Sequence, residues 1–330
     1  MRRLLKSVFI FGVIILTINF WPKHEFKNQL LYTPHTMWSI IKWKLTSKAA
    51  SWPEWIESPY HPLPPSPSDH KGLSATFINH STFLLQHNGL TILTDPIWSE
   101  RTSPVSFAGP KRVRNPGVKF EDLTRVDVVM ISHDHYDHLD KDTLKKLAEK
   151  FQPIILVGMN NGELVKSLGF KNVVEMNWWD SKKIGDLTFH FVPSQHFSGR
   201  GLFDRMTTLW GGFVIESKFG NIYFAGDTAV GPHDKQLFDK FKSFRLSLIP
   251  IGAYKPKWVM QCSHVDPHEA VELHKTICSN LTIGMHFGTF QLSDEEIDAP
   301  LKDLEISKKE LGVESSKFIT LEFGQTKWVD

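Results

Sequence analysis

The densest group of potential metal ligands lies between residues 133 and 138. Three histidines and two aspartates fall within six positions of the sequence His133-Asp134-His135-Tyr136-Asp137-His138. Imidazole and carboxylate groups suit zinc, and iron and manganese accept them too. A strand or helix cannot turn all of these side chains toward one point. From a loop, His133 and His135 can face one way while Asp137 and His138 face another, so the spacing favours two metal ions over one.

Further ligand-type residues stand at the ends of other apolar segments. His196 follows Leu187–Val192, Asp227 follows Ile222–Phe224, and His286 follows Leu281–Met285, just as His133 follows Val126–Ile131. Sites form at such positions because rigid strands hold the loops that follow them. A carboxylate such as Asp227 can bridge two metal ions held roughly 3.5–4 Å apart. Single histidines are often structural, but that explanation does not account for four ligand positions at strand ends.

The segments around these residues alternate between strand and helix patterns. Short apolar runs from residue 75 onward predict strands, and Asn88-Gly89 between two of them predicts a hairpin turn. Leu144, Leu147 and Phe151 have helical spacing, with Asp140 or Asp142 available as the helix cap. Both halves of the region place helices among strands, and residues 268–277 give a second helix. This order predicts a layered α/β sandwich of two sheets.

Composition sets bounds on the class of protein. Of 330 residues, 41% are hydrophobic and 22% are charged, which is typical of a globular protein large enough to need no metal for folding. A metal here is therefore expected to serve chemistry. The net charge of +2 gives no reason to expect nucleic acid as a partner. Cys262 and Cys278 are too few for a disulfide framework, and nothing beside them marks a nucleophile.

The first 22 residues carry a compositional anomaly. Arg2, Arg3 and Lys6 make the start basic, and Ser7 through Trp21 is an uncharged, mostly apolar run of fifteen residues. That run suits a signal peptide and is shorter than the roughly 20 residues of a membrane span. No small-residue cleavage site follows it, so we expect residues 1–22 to be an uncleaved signal anchor or a signal peptide. The catalytic domain would then lie on the non-cytoplasmic side of the membrane. A buried N-terminal helix is the alternative.

Residues 23–72 have the composition of a connector. Tryptophan is concentrated there, at positions 38, 43, 52 and 55, and six prolines lie between Pro53 and Pro67. The prolines favour an extended path, which either wraps over a domain surface or lies against lipid headgroups. We expect residues 73–330 to form the domain that carries the ligand residues.

The sequence also resembles a known family. His133-Asp134-His135-Tyr136-Asp137-His138 is similar to the HxHxDH signature of the metallo-β-lactamase superfamily. Six further stretches resemble the family of N-acyl phosphatidylethanolamine-hydrolysing phospholipases D: Asn79-His80-Ser81-Thr82, Pro193-Ser194-Gln195-His196, Phe224-Ala225-Gly226-Asp227-Thr228, Ile249-Pro250-Ile251-Gly252-Ala253-Tyr254, His264-Val265-Asp266-Pro267 and His286-Phe287-Gly288-Thr289-Phe290. The resemblance runs from about Leu73 to the C-terminus. It implies that residues 73–330 are a hydrolase domain with the αββα sandwich of the metallo-β-lactamase fold. Nothing follows from it for the first 72 residues.

The resemblance implies a specific set of ligands. One metal ion would be held by His133, His135 and His196, and a second by Asp137, His138 and His286, with Asp227 bridging them. The implied cofactors are two zinc ions, with iron or manganese as alternatives. His264 matches a histidine on the substrate side of the family's site. The family has a glutamine directly before that histidine, where this chain has Ser263, so the fine substrate contacts are expected to differ.

The implied activity is phospholipase D-type hydrolysis of a phospholipid at a membrane surface. The resemblance also implies a homodimer. The metal ions would lower the pKa of a water that attacks phosphorus. Asp137, Asp227 and His264 are the candidate catalytic residues, with His264 protonating the leaving group or holding the phosphate. Three alternatives stand beside this hypothesis: a hydrolase of a soluble phosphodiester, lactone or thioester, a membrane-tethered metal-binding module without catalysis, and an iron-dependent oxidative enzyme.

Overall fold

A computed structural model describes residues 25–30, 37–64, 72–201 and 203–330. The predicted anchor, residues 1–22, lies outside these ranges. None of the helices within the described ranges has the length and apolar character needed to span a membrane.

Fourteen strands in the described residues form two seven-stranded sheets. The first sheet has the order β14-β1-β2-β3-β4-β5-β6 and the second the order β13-β12-β11-β10-β9-β8-β7. The strands are β1 (Leu73–Asn79), β2 (Thr82–His87), β3 (Leu90–Thr94), β4 (Val128–Ile131), β5 (Ile154–Gly158), β6 (Asn172–Met176), β7 (Ser181–Ile184), β8 (Leu187–Val192), β9 (Gly212–Glu216), β10 (Ile222–Phe224), β11 (Leu246–Pro250), β12 (Thr282–Met285), β13 (Phe318–Ile319) and β14 (Thr326–Val329).

Helices cover the outer faces of both sheets. They are α1 (Met37–Thr46), α2 (Lys141–Phe151), α3 (Gly162–Ser167), α4 (His233–Phe241), α5 (Lys257–Met260), α6 (Pro267–Thr276) and α7 (Ala299–Leu311), with a short 3₁₀ turn at Phe120–Asp122. A large apolar core joins Phe77 and Phe83 of the first sheet to Phe189 and Phe213 of the second. A second core lies between the first sheet and α2. These layers confirm the predicted αββα sandwich.

Local sequence signals agree with the observed elements. Asn88 and Gly89 both have positive φ, 51° and 77°, as the tight turn between β2 and β3 requires. Asp140 is the cap of α2, since its side chain accepts a hydrogen bond from the Asp142 backbone N–H. Both predicted helices are present, and α6 begins with a capping box formed by Asp266 and Glu269.

The segment before β1 packs along the domain. The backbone N–H of Ile56 donates to the Val113 carbonyl at 2.7 Å, and that of His61 donates to the Gly117 carbonyl, also at 2.7 Å. Residues 47–64 therefore follow an extended path over the domain surface. Earlier in the segment, α1 lies against α5, with Ile40 and Trp43 packed on Val259 and Met260.

Candidate metal centre and comparison with known proteins

Four strands deliver the predicted ligands to one place. Within the first sheet β4 runs parallel to β3 and β5, and within the second sheet β10 and β12 run parallel to β11. The strands β8 and β10 also share one direction, because each is antiparallel to β9. The loops after β4, β8, β10 and β12 carry the ligands, and their side chains meet at the carboxyl ends of these strands.

The first candidate group consists of three histidines whose ring nitrogens converge. The Nδ1 atom of His135 lies 2.9 Å from Nε2 of His133 and 3.3 Å from Nε2 of His196. Tetrahedral ligands with metal–nitrogen bonds of roughly 2.0–2.1 Å stand roughly 3.3 Å apart. The three nitrogens therefore have the spacing of ligands to a single ion, and this is the group that the sequence assigned to the first metal.

The second candidate group surrounds one oxygen of Asp137. Its Oδ2 atom lies 3.3 Å from Nε2 of His138 and 3.5 Å from Nε2 of His286. A third histidine, His80, approaches the same oxygen at 3.0 Å. The structure thus brings together the three residues predicted for the second metal and adds His80 to them.

Asp227 stands between the two groups. Its Oδ2 atom is 3.2 Å from Nε2 of both His138 and His286, and 3.8–3.9 Å from Nε2 of His196 and His133. One carboxylate oxygen therefore faces ligands of both groups, which is the arrangement of a bridging ligand.

Unsatisfied buried atoms show that the centre fits a cation. Within the described part of the chain, the Nε2 atoms of His138 and His286 and Oδ1 of Asp227 are buried and form no hydrogen bond of good geometry. Buried polar atoms are normally satisfied, so several unsatisfied atoms that converge on one point mark a place for a ligand. Nitrogen and carboxylate donors at this spacing fit divalent metal ions such as zinc.

Hydrogen bonds fix which ring nitrogen faces the centre in His133 and His196. Ser132 Oγ lies 2.9 Å from Nδ1 of His133 and donates to Asp95 at 2.5 Å. His196 donates from Nδ1 to the carbonyl of Ser263 at 2.8 Å. In both histidines Nδ1 forms a hydrogen bond and Nε2 points toward the centre. Metal-binding histidines are commonly oriented in this way by a hydrogen bond at the other ring nitrogen.

The protonation states show how the centre balances its charge. Burial lowers the pKa of His286, but the carboxylates of Asp227 and Asp137 outweigh burial and raise that pKa to about 9. Burial also lowers the pKa of His138, but the same two carboxylates outweigh it and raise that pKa well above its ordinary value. Both carboxyl groups in turn have pKa values well below their usual range, despite burial, because of His138 and His286. Without metal, two imidazolium groups thus offset the two carboxylates.

The tight approach of the loops depends on a glycine. Gly226 precedes Asp227 and has φ of 61°, and a Cβ at that position would lie 2.5 Å from Cβ of Ser132. Only glycine lets the loop after β10 approach the loop after β4 so closely.

His264 lies at the edge of the centre. Its Nδ1 atom is 3.9 Å from Oδ2 of Asp227 and forms no hydrogen bond within the described part of the chain. Burial lowers the pKa of His264 to about 4, so the ring is neutral near pH 7. The cap of the following helix α6 is Asp266, so His264 has no capping role there.

A cavity of about 210 Å³ opens beside the centre. Its polar wall contains His135, Asp137, Asp227 and His264. The remaining wall is mainly apolar, with Arg205 and Ser263 as its polar members, and its apolar residues are Ile40, Trp43, Phe197, Ala253, Val259, Met260 and Leu292. Residues of α1 thus line the cavity although they precede the predicted domain.

Two residues of the centre were not identified as site residues from the sequence. His80 lies within a stretch that carried the family resemblance, and Asp95 directly follows β3, in the same position that drew attention to the other ligands. Applying the strand-end criterion to every strand would have found Asp95. His80 follows the end of β1 in a tight turn with φ of 48°, where no local pattern distinguishes it from an ordinary turn residue.

Comparisons with known proteins agree with the fold. Residues 91–287 match the family described as Beta-lactamase superfamily domain. The chain is 36% identical over 269 residues to N-acyl-phosphatidylethanolamine-hydrolyzing phospholipase D 1 of Caenorhabditis elegans, covering 77% of this chain and 75% of that protein. It is 31% identical over 266 residues to the mitochondrial N-acyl-phosphatidylethanolamine-hydrolyzing phospholipase D of Saccharomyces cerevisiae, covering 77% of this chain and 56% of that protein.

Solved structures show the same fold. An isothiocyanate hydrolase from Delia radicum gut bacteria superposes with a TM-score of 0.61 at 21% identity, covering 77% of this chain and 98% of that one. The predicted family is therefore confirmed: the chain belongs to the metallo-β-lactamase superfamily, is a metal-dependent hydrolase of that superfamily, and is related to the N-acyl-phosphatidylethanolamine-hydrolyzing phospholipases D.

Proposed function

We propose that the chain is a zinc-dependent phospholipase D-type enzyme that hydrolyses N-acyl phosphatidylethanolamine to N-acylethanolamine and phosphatidic acid. The observation that carries this proposal is the position of the candidate metal centre in the wall of a largely apolar cavity. An amphiphile fits such a site, with its phosphodiester at the metal ions and an acyl chain against the apolar wall. The sequence similarity to two enzymes that are named for this reaction supports the choice of substrate.

The chemistry divides between the metal ions and the protein. When bound, the two ions supply a water of lowered pKa as nucleophile and positive charge for the phosphoryl oxygens. The seven predicted ligands hold them, namely His133, His135, Asp137, His138, His196, Asp227 and His286. In the proposed reaction the water oxygen bonds to phosphorus, the bond from phosphorus to the ethanolamide oxygen breaks, and that oxygen takes up a proton.

His264 is the protein group best placed to assist the phosphate. Its side chain shares the cavity wall with Asp137 and Asp227, and its Nδ1 atom has no other described partner. Because a neutral imidazole carries one N–H, it can donate a hydrogen bond to a phosphoryl or leaving-group oxygen. Nearby cations would favour this neutral form further.

The outer face of α1 supports a membrane surface as partner. Trp38, Ile41 and Leu45 lie on one side of this helix, and Trp38 and Leu45 are 77% and 81% exposed. Lys42 stands beside this face, with its Nζ atom 5.6 Å from the ring centre of the exposed Trp258. Exposed tryptophan and leucine flanked by lysine are typical of helices that lie in the membrane interface. The inner face of the same helix lines the cavity, so such docking would bring the cavity close to the lipid.

Flotation with phosphatidylcholine vesicles tests this surface. We expect Trp38→Ser to reduce the vesicle-bound fraction of residues 23–330, which lack the proposed anchor. The matched control is Trp328→Ser, which removes a half-exposed tryptophan on β14. If both variants lose binding equally, or if neither variant loses binding, α1 is not the docking element.

Hydrolysis in ¹⁸O-labelled water tests the reaction itself. The full chain, loaded with zinc in detergent micelles, is expected to release N-acylethanolamine from N-acyl phosphatidylethanolamine and to place the label in phosphatidic acid. Label in the ethanolamide alcohol would mean that phosphorus is not attacked. Zinc binding without release would favour a soluble phosphodiester or lactone as substrate, and a chain that binds metal but hydrolyses none of these would favour a binding module.

Two further expectations belong to this proposal. The signal anchor at residues 1–22 would hold the protein at the membrane with its catalytic domain on the non-cytoplasmic side. The homodimer implied by the resemblance also stays a prediction, which the molecular mass of the detergent-solubilised chain tests.

A further inference from the structure

The side chain of Asn28 is hydrogen-bonded to both backbone polar groups of one candidate ligand. Its Nδ2 atom donates to the carbonyl of His196 at 2.7 Å, and its Oδ1 atom accepts from the N–H of His196 at 3.2 Å. A single hydrogen bond would let the backbone of His196 pivot. Two opposed bonds from one planar amide fix its position and its orientation.

Asn28 belongs to a short segment, residues 25–30, which we call the N-terminal strap. Hydrogen bonds hold the strap on both sides of Asn28. Before it, the Phe26 N–H donates to the Met206 carbonyl at 2.8 Å. After it, the side chain of Gln195 donates to the Leu30 carbonyl at 3.0 Å. The buried indole of Trp210 adds a hydrogen bond to Oδ1 of Asn28 at 3.2 Å. The amide of Asn28 is therefore itself held in place.

His196 lies farther from the end of its strand than two of the other ligands do. His286 directly follows the last residue of β12, and His133 lies two residues beyond β4, so the sheets hold both. His196 lies four residues beyond the end of β8. Its ring is fixed by the hydrogen bond from Nδ1 to the Ser263 carbonyl, but its backbone depends on contacts from outside the sheet.

We propose that Asn28 is a positioning residue for the metal centre, and that the N-terminal strap sets the metal affinity through His196. The inference rests on the proposed role of His196 as a metal ligand. Contacts behind a ligand typically change metal affinity by about 10–100-fold when they are removed. The strap thus makes a segment outside the matched family region, residues 91–287, part of the metal centre.

Zinc affinity of the full chain in detergent, measured by competition with a fluorescent chelator, tests this role without lipid substrate. Asn28→Ala removes both hydrogen bonds to His196. Asn28→Asp keeps an acceptor for the N–H and loses the donor to the carbonyl. The control is Ser47→Ala, which removes a side-chain hydrogen bond of 2.7 Å to Asp294, also between the N-terminal region and the domain but touching no candidate ligand.

We expect both Asn28 variants to bind zinc at least about 10-fold more weakly than the wild type, while Ser47→Ala binds normally. The melting temperature of the metal-free chain should fall no further for the Asn28 variants than for Ser47→Ala. Either Asn28 variant binding zinc like the wild type would overturn the proposal. A loss of affinity matched by Ser47→Ala, or explained by collapse of the metal-free fold, would overturn it too.

The variant His135→Ala separates this inference from the proposed metal centre. If His135→Ala loses zinc while Asn28→Ala keeps it, only the role of Asn28 fails. If neither loses zinc, the centre fails as well.

Hydrogen exchange of the wild type provides a test that needs no variant. Coupling is reciprocal, so zinc should slow backbone exchange in the strap as well as around His196. Slower exchange around His196 with no change in residues 25–30 would contradict the coupling.

Discussion

The carboxylate of Asp95 lies 2.6 Å from Nδ1 of His138. The same oxygen accepts a hydrogen bond from the hydroxyl of Ser132. That hydroxyl also contacts Nδ1 of His133. One buried carboxylate therefore orients a histidine in each of the two candidate groups. Asp95 follows β3 and is not itself directed at the centre, because it faces the outer nitrogen of His138.

Replacing Asp95 tests whether this orientation matters. In Asp95→Asn an amide N–H or a weaker acceptor faces Nδ1 of His138, so we expect metal affinity to fall by about 10–100-fold. Chelator competition measures the change. The control is Asp127→Asn, which alters an aspartate at the other end of β4 that binds the Thr91 N–H. Equal metal affinity in the two variants would contradict the role of Asp95.

The first group and the bridging carboxylate should be indispensable. We expect His135→Ala to lose the metal ion of the first group, and Asp227→Asn to weaken both sites, since its Oδ2 atom faces both groups. Turnover of N-acyl phosphatidylethanolamine should fall to background in each variant. Metal analysis beside circular dichroism measures loading and folding, and a folded variant with full activity would rule out the two-metal mechanism.

His264 should act on the substrate and not on the metal ions. Removing a single donor to the reacting group typically lowers kcat by about 10²–10³. We expect His264→Ala to show a loss of this size while it retains the metal content of the wild type. Loss of metal would make His264 a ligand, and unchanged kcat would remove it from the reaction.

Much of the fold and most of the centre follow from the sequence, because both depend on strands. Apolar runs such as Leu187–Val192 and Ile222–Phe224 form strands with the predicted bounds. A ligand at the end of a strand has a position fixed by the sheet, which is why the convergence of these residues could be predicted. Their division into the groups around His135 and Asp137 came from the family resemblance.

The residues that escaped prediction depend on contacts between distant segments. Trp43 packs on Val259 and Met260, more than two hundred residues away in sequence, and so becomes part of the cavity wall. Nothing near Trp43 in the sequence indicates this partner, and a Trp- and Pro-rich composition describes a connector equally well. His80 likewise gains its place only because the turn after β1 meets Asp137.

Metal binding should depend on pH in a definite direction. In the metal-free centre the pKa of His286 is raised to about 9 and that of His138 is raised well above its ordinary value, so both rings are protonated at pH 7. A metal ion needs the neutral rings, so binding releases protons and affinity rises with pH until about pH 9.

Calorimetry in buffers of different ionisation enthalpy counts these protons. We expect about two protons to be released per chain at pH 7, one from each ring, with affinity rising about tenfold per pH unit for each proton released. Zinc affinity that is constant between pH 6 and pH 9 would contradict protonated His138 and His286 in the metal-free centre.

The most direct test of the central proposal is stepwise zinc loading of the metal-stripped full chain in micelles that contain N-acyl phosphatidylethanolamine. The two-ion centre predicts that release of N-acylethanolamine begins only with added zinc and reaches its plateau at two ions per chain. A plateau at one ion, full release from the metal-free chain, or no release at any loading would contradict it.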